Sequence, residues 1–152
     1  MHGVPKGDAE DKEDEHEAAS APPAIAGVTV RVWTDVYPTE DVSAVRKGVR
    51  NLFPRVELEH NTGALEGTAG GPVVLARLRR RLRDQLIRDA SRAHLLRRIE
   101  GGELVFLLNK QSSTMRVASF ATEGAPLGDI EVHVGGADPR AVVDWLCQIE
   151  GT

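Results

Sequence analysis

The hydrophobic positions change their rhythm several times along the chain, and each change marks an element. Val28, Val30, Val32 and Val36 alternate with Thr29, Arg31, Trp33 and Asp35, the two-residue period of a strand. Pro38 stops the run, and Thr39 with Glu40 and Asp41 supplies an N-cap and an acidic first turn. Val42, Val45, Val49 and Leu52 then recur at helical spacing until Pro54. Val56 and Leu58 alternate with Glu57 and Glu59 in a second strand. Residues 61–71 read as a loop, and Pro72 opens a long helical stretch to about Ile99.

Gly101-Gly102 breaks that stretch. LVFLL at 104–108 is apolar on both parities, which predicts a central strand covered on both sides. Gln111-Ser112-Ser113 reads as a hairpin turn into a strand from Met115 to Phe120. Ile130, Val132 and Val134 alternate with Asp129, Glu131 and His133 in a fifth strand. Asp138-Pro139 caps a last helix with Val142, Leu146 and Ile149 on one face and Trp145 beside them. The order β-α-β-α-β-β-β-α predicts an α+β fold. Its form is a two-layer sandwich, a mostly antiparallel sheet with helices on one face.

Composition sets the scale. At 152 residues and 41% hydrophobic, the chain holds one domain core, and at 4% aromatic that core is built from Val, Leu, Ile and Ala. No apolar run approaches the roughly 18 residues a membrane span needs, so no membrane partner is expected. The first residues lack the apolar stretch of a secretory signal, so the expected compartment is the cytoplasm. A single cysteine, Cys147, excludes an intramolecular disulfide and a cysteine-rich zinc site. It falls near the buried stripe of the last helix and reads as core. The five histidines show no metal-ligand spacing, and no catalytic signature stands out. The expectation is a protein without cofactor that is no enzyme.

The net charge of −4 divides unevenly. Residues 1–27 hold seven acids against two lysines, a balance of −5, and the remaining residues carry +1. Residues 1–26 have almost no large apolar side chain, so they read as an acidic disordered tail before one domain over 27–152. Such a tail is a solubilising extension or an electrostatic arm that modulates a basic partner site. The basic counterpart lies at 77–98, where nine arginines face only Asp84 and Asp89. On one continuous helix, Leu75, Leu78, Leu82, Leu86, Ala93 and Leu96 share an arc. Arg77, Arg80, Arg81, Arg88, Arg92 and Arg98 fall opposite, facing outward. Arginine suits phosphate oxygens because its planar fork donates two parallel hydrogen bonds.

Three other features are weaker. Lys110 with Gln111, Ser112 and Ser113 is expected on an exposed tip suited to a phosphate or a 2′-hydroxyl. GTAGGP at 67–72 offers backbone N–H groups at a helix start but lacks the Gly-Lys-Ser/Thr ending of a P-loop. Arg31, Trp33 and Tyr37 could stack bases, yet Glu57, Glu59, Asp129 and Glu131 beside them would repel phosphates.

VYPTED at 36–41, NLFP at 51–54, LEG at 65–67, LNKQ at 108–111, PLGDIEV at 126–132 and DWL at 144–146 occur in one order. Together they resemble the archaeal uncharacterised protein family 0201, a predicted RNA-binding family, over residues 28–149. Residues 78–92 also resemble that family's arginine-rich helical stretch, whereas the acidic tail and the 67–72 segment depart from its pattern. The resemblance implies a fold similar to ribosomal-protein or double-stranded-RNA-binding domains. It also implies a role in RNA processing, with exosome or other processing proteins as partners. The reading is therefore a non-catalytic protein contacting structured or double-stranded RNA through Arg77, Arg80, Arg81, Arg88, Arg92, Lys110 and Gln111. The alternative is a protein-interaction module or homodimer without direct RNA contact.

Overall fold

A computed structural model of the chain describes residues 6–121 and 128–148. Its centre is the first valine-rich strand, β1 (Thr29–Asp35), which buries Val30, Val32 and Thr34 and leaves Thr29 and Arg31 exposed. Antiparallel neighbours flank it on both sides, β3 (Ala64–Gly70) and β6 (Asp129–Gly135). Outside these lie β2 (Glu59–Asn61) on one edge, then β5 (Glu103–Asn109) and β4 (Ile99–Glu100) on the other. The sheet order is β2-β3-β1-β6-β5-β4, antiparallel throughout. One face carries Val30, Val32, Leu65, Leu104, Phe106, Leu108, Ile130, Val132 and Val134, all buried.

Helices cover that face. The first is α2 (Val42–Leu52), whose N-cap Asp41 accepts a hydrogen bond from the Ser43 amide at 2.9 Å. Next come α3 (Val73–Asp84), α4 (Arg88–Leu96), α5 (Lys110–Thr114) and α6 (Pro139–Leu146). Val49, Leu52, Leu75, Leu78, Leu82, Leu95, Val142 and Leu146 complete a core made mostly of aliphatic side chains. The α+β sandwich is the expected one, an open antiparallel sheet with helices on one face.

Several element assignments differ. The 61–71 segment is no loop: Thr62 and Gly63 both take positive φ, 46° and 75°, and close a hairpin between β2 and β3. Its weak strand composition is outweighed by pairing with β1 on one side and β2 on the other. The second strand begins later than Val56, at Glu59. Val56 and Leu58 are buried in irregular chain crossing Gly67, where a Cβ would lie 2.2 Å from the Glu57 carbonyl oxygen. LVFLL lies between β6 and β4, next to the sheet edge. Leu104, Phe106 and Leu108 are buried, while Val105 and Leu107 are only half-buried on the other face.

The long helix is two helices. Leu86 adopts φ 59° and is 86% exposed, so the apolar arc drawn through it ends at Leu82. Ala93 is exposed as well. The expected hairpin at 111–113 is the short helix α5, because the Asn109 side chain caps the Ser112 amide at 2.8 Å. The strand expected from Met115 to Phe120 reduces to one bridge, Leu108 to Phe120. In α6, Val142 and Leu146 are buried as expected, and Ile149 lies outside the described residues.

The acidic tail shows the largest difference. Residues Lys6–Ala18 form a helix, α1, followed by a 3-10 turn at Pro23–Ile25 whose Ile25 enters the core. Seven like charges on 13 residues would not hold a helix alone. The helix exists because it lies against α3, whose arginines neutralise it.

Candidate nucleic-acid interface

The arginine-rich stretch does occupy one side of the molecule, on the helices and away from the sheet. In α3, Val74, Leu75, Leu78 and Leu82 face the core, which places Arg77, Arg80 and Arg81 on the outer side. That outer side is covered by α1. Arg77 donates from Nε to both Asp14 carboxylate oxygens, at 3.1 and 3.0 Å, and pairs through Nη1 with Glu10 at 2.8 Å. Its Nη2 lies 2.7 Å from Asp14 and 3.3 Å from Asp11. Arg80 donates to Asp14 at 2.8 Å and pairs with Glu13, while Arg83 holds Glu17 at 2.9 and 3.0 Å. Early acids meet early arginines and late acids meet late ones, so the two helices run parallel.

Arg77 and Arg80 are therefore buried, not presented to solvent as the single-helix reading required. Asp14 is wholly buried between them. Arg79, absent from the expected outward arc, pairs with Glu17, donates to the Trp145 carbonyl at 2.7 Å and lies 5.0 Å above the Trp145 ring. Arg81 is the least well neutralised of the group. Its nearest carboxylate, Glu10, stands 3.7 Å away, and its buried Nε finds no hydrogen-bond acceptor among the described residues. Burial pushes its guanidinium below the ordinary value, against the pull of Glu10 and with the help of Arg77, Arg80 and Arg116.

Beyond the break at Leu86 the arginines are more open. Arg88 donates to the Gln148 carbonyl at 2.8 Å, and Arg92 pairs with Asp144 at 2.5 Å on the surface. On the other flank, α2 contributes cations that the sequence reading passed over. Arg46, Lys47, Arg50, Ser43 and Asn51 line a surface groove of about 350 Å³ shared with Arg77 and Asp11. Lys47 and Arg50 are exposed. Their 3- to 4-residue spacing on an amphipathic helix was the available signal, hidden by the larger arginine run.

Lys110 does not stand on an exposed tip. Its Nζ donates to the Asp35 carbonyl at 2.7 Å and to Glu40 at 3.0 Å, and lies 5.2 Å from the Tyr37 ring centre. The capped turn of α5 folds it inward, leaving Gln111 exposed. Lys110 and the arginine face are thus separate features. The glycine-rich segment 67–70 belongs to β3, where it pairs with β1 instead of forming a loop at the start of α3.

The open sheet face has the opposite character. Glu59, Glu66, Glu131 and Asp129 share it with Trp33, Arg31 and His133, and Arg31 pairs with Glu66 at 3.5 Å. Tyr37 has left the strand for Lys110, so no aromatic row forms. Among the described residues no helix is long and apolar enough to cross a membrane.

A family model described as RNA binding matches residues 29–135. A UPF0201 protein of Sulfurisphaera tokodaii is 34% identical over 121 residues, 76% of this chain and 83% of that protein. One from Sulfolobus acidocaldarius is 35% identical over 117 residues, covering 73% and 81%. The crystal structure of a UPF0201 protein from Methanococcus jannaschii superposes with a TM-score of 0.69 at 27% identity, over 78% of this chain and 98% of that one.

Proposed function

The chain belongs to the UPF0201 family, and from that premise we propose that it is a non-catalytic RNA-binding protein that takes structured RNA on its helical face. One observation carries the choice of face. Lys47 and Arg50 on α2 and the half-buried Arg88 and Arg92 on α4 present cations on the helical side, with the arginines of α3 beneath α1, while the open sheet face is lined by carboxylates. A polyanion gains on the first and is repelled by the second. Recognition is by phosphate contacts and shape, because among the described residues no aromatic row lines the open sheet face to stack single-stranded bases. RNA processing, beside the exosome or other processing proteins, is the setting this reading favours.

A second reading, a protein-interaction module, rests on Leu86, Met115 and Val117, which are exposed and apolar. Gln85 bonds both ways with the Ala118 backbone, at 2.8 and 2.9 Å, and so ties the two segments together. A pair of surface variants tests the choice. Lys47→Gln/Arg50→Gln should weaken binding to a short RNA duplex several-fold, and Arg31→Gln on the sheet should not. Equal effects, or none, would reject the helical face.

A further inference from the structure

We propose that α1 is an intramolecular occupant of the RNA site, its carboxylates standing where phosphates bind, and that RNA enters by displacing it. The inference rests on the reading of the helical face as the RNA-binding surface. The arrangement itself is that of a strand of anions on a row of guanidinium forks. Glu10, Asp11, Glu13, Asp14 and Glu17 engage Arg77, Arg79, Arg80, Arg81 and Arg83, with Arg77 and Arg83 each gripping one carboxylate through two nitrogens.

Further features suit a displaceable occupant better than a fixed element. From Lys6 to Ala18 no apolar side chain exceeds alanine, so the contact with α3 rests on ion pairs, and the outer ones, made by the half-open Asp11 and Glu13, are weakened by salt. Those acids repel one another along α1, which therefore loses its helix when it leaves the arginines. Arg81 is only partly satisfied by α1, with an unbonded Nε among the described residues, and so has more to gain from a phosphate than from Glu10. The groove beside it is open, and Asp11 is α1's contribution to its lining. α1 also lies outside residues 29–135, the span matched by the RNA-binding model.

The consequence is quantitative. When the binding-competent form is a fraction of the population, apparent affinity falls by that fraction. An α1 docked in roughly 90 to 99 of every 100 molecules lowers RNA affinity about tenfold to a hundredfold. Because ion pairs hold it, the penalty shrinks as salt rises.

The test uses the full chain and a labelled short RNA duplex, followed by fluorescence anisotropy between low and moderate KCl. The variant Glu10→Gln/Asp11→Asn/Glu13→Gln thins the outer contacts of α1 while sparing buried Asp14 and Glu17. It should bind at least about tenfold tighter than the native chain at low salt, with the two converging as KCl increases. Equal affinity in both chains would overturn the displacement and leave the RNA reading standing. Failure of both chains to bind would overturn the RNA reading and the displacement with it. Hydrogen exchange on the native chain decides independently of the variant. Adding duplex should speed exchange along residues 6–18 and slow it along residues 73–84, and protection of both segments would make α1 a fixed part of the site.

Discussion

Asp14 and Arg77 meet as a carboxylate gripped by a guanidinium fork, with Arg77 Nη2 2.7 Å and Nε 3.0 Å from the Asp14 oxygens. The carboxylate is completely buried and the arginine side chain 6% exposed, yet they come from segments 63 residues apart. Removing one partner of a fully enclosed ion pair costs about 3 to 5 kcal/mol, because the survivor stays charged without water. Here α1 is held by ion pairs and brings no apolar side chain larger than alanine, so it can lift and let Arg77 and Arg80 hydrate. Asp14→Asn is therefore expected to cost less, at most about 3 kcal/mol, and to free α1 while the sheet stays folded. Urea unfolding gives the first figure, and proteolysis within residues 6–18 reports the second.

Lys110 is expected to matter for stability and not for RNA. Its Nζ is held by Glu40 and the Asp35 carbonyl inside the fold. Lys110→Met keeps the shape of the side chain and leaves Glu40 without its cation, for a loss of about 2 to 3 kcal/mol. Thermal melts measure this, and RNA affinity should stay within twofold. A large affinity loss in a variant with native stability would return Lys110 to the interface.

Much of this was readable in advance, and the parts that were not share a cause. The valine alternation of β1, the Asp129–Val134 alternation of β6 and the helical spacing of α2 are local signals whose own residues decide the outcome, although the cap of α2 is Asp41 and not Thr39. β3 is not of that kind. Ala64, Gly67 and Gly70 have little strand preference and are paired only because β1 and β2 lie alongside. α1 is the extreme case, a self-repelling segment ordered by side chains of α3 that lie some 60 residues away. The acidic start and the arginine cluster were both visible in the sequence, but that the acids of α1 meet Arg77, Arg79, Arg80, Arg81 and Arg83 is a tertiary fact. That burial removed Arg77 and Arg80 from the exposed surface expected of them.

Cys147 gives a pH prediction. Burial pushes its thiol up to about 11 from the ordinary 9.0, with Arg92, Arg88 and Arg79 opposing and Asp144 adding. The folded state thus binds the proton more tightly than the unfolded chain. This contribution is fully present below pH 9 and is lost as pH rises through about 11. Native protein at pH 8 should resist iodoacetamide and react once unfolded. The decline in stability between these pH values should lessen in Cys147→Ala. Rapid labelling of the native chain at pH 8 would contradict this burial.

Leu86 offers a stabilising change. A leucine at φ 59° pays for its left-handed backbone without packing in return, being 86% exposed. Leu86→Gly is expected to raise stability by roughly 0.5 to 1 kcal/mol, net of the extra freedom of glycine in the unfolded chain. A calorimetric melt should show a slightly higher midpoint. A lower one would mean that Leu86 packs in solution against something that protects it.

The central claim, that structured RNA binds this helical face through its phosphates, is tested most directly by the salt dependence of duplex affinity. Each phosphate neutralised contributes about 0.9 to the slope of log affinity against log salt, taking the B-DNA value as a guide. About four contacts would give a slope near −3 to −4 with α1 released, and a somewhat shallower one for the native chain, in which salt also loosens the outer pairs of α1. The Lys47→Gln/Arg50→Gln variant should flatten it by up to about 2 units. No measurable binding at low salt, or a slope shallower than about −1 that these substitutions leave unchanged, would contradict the account.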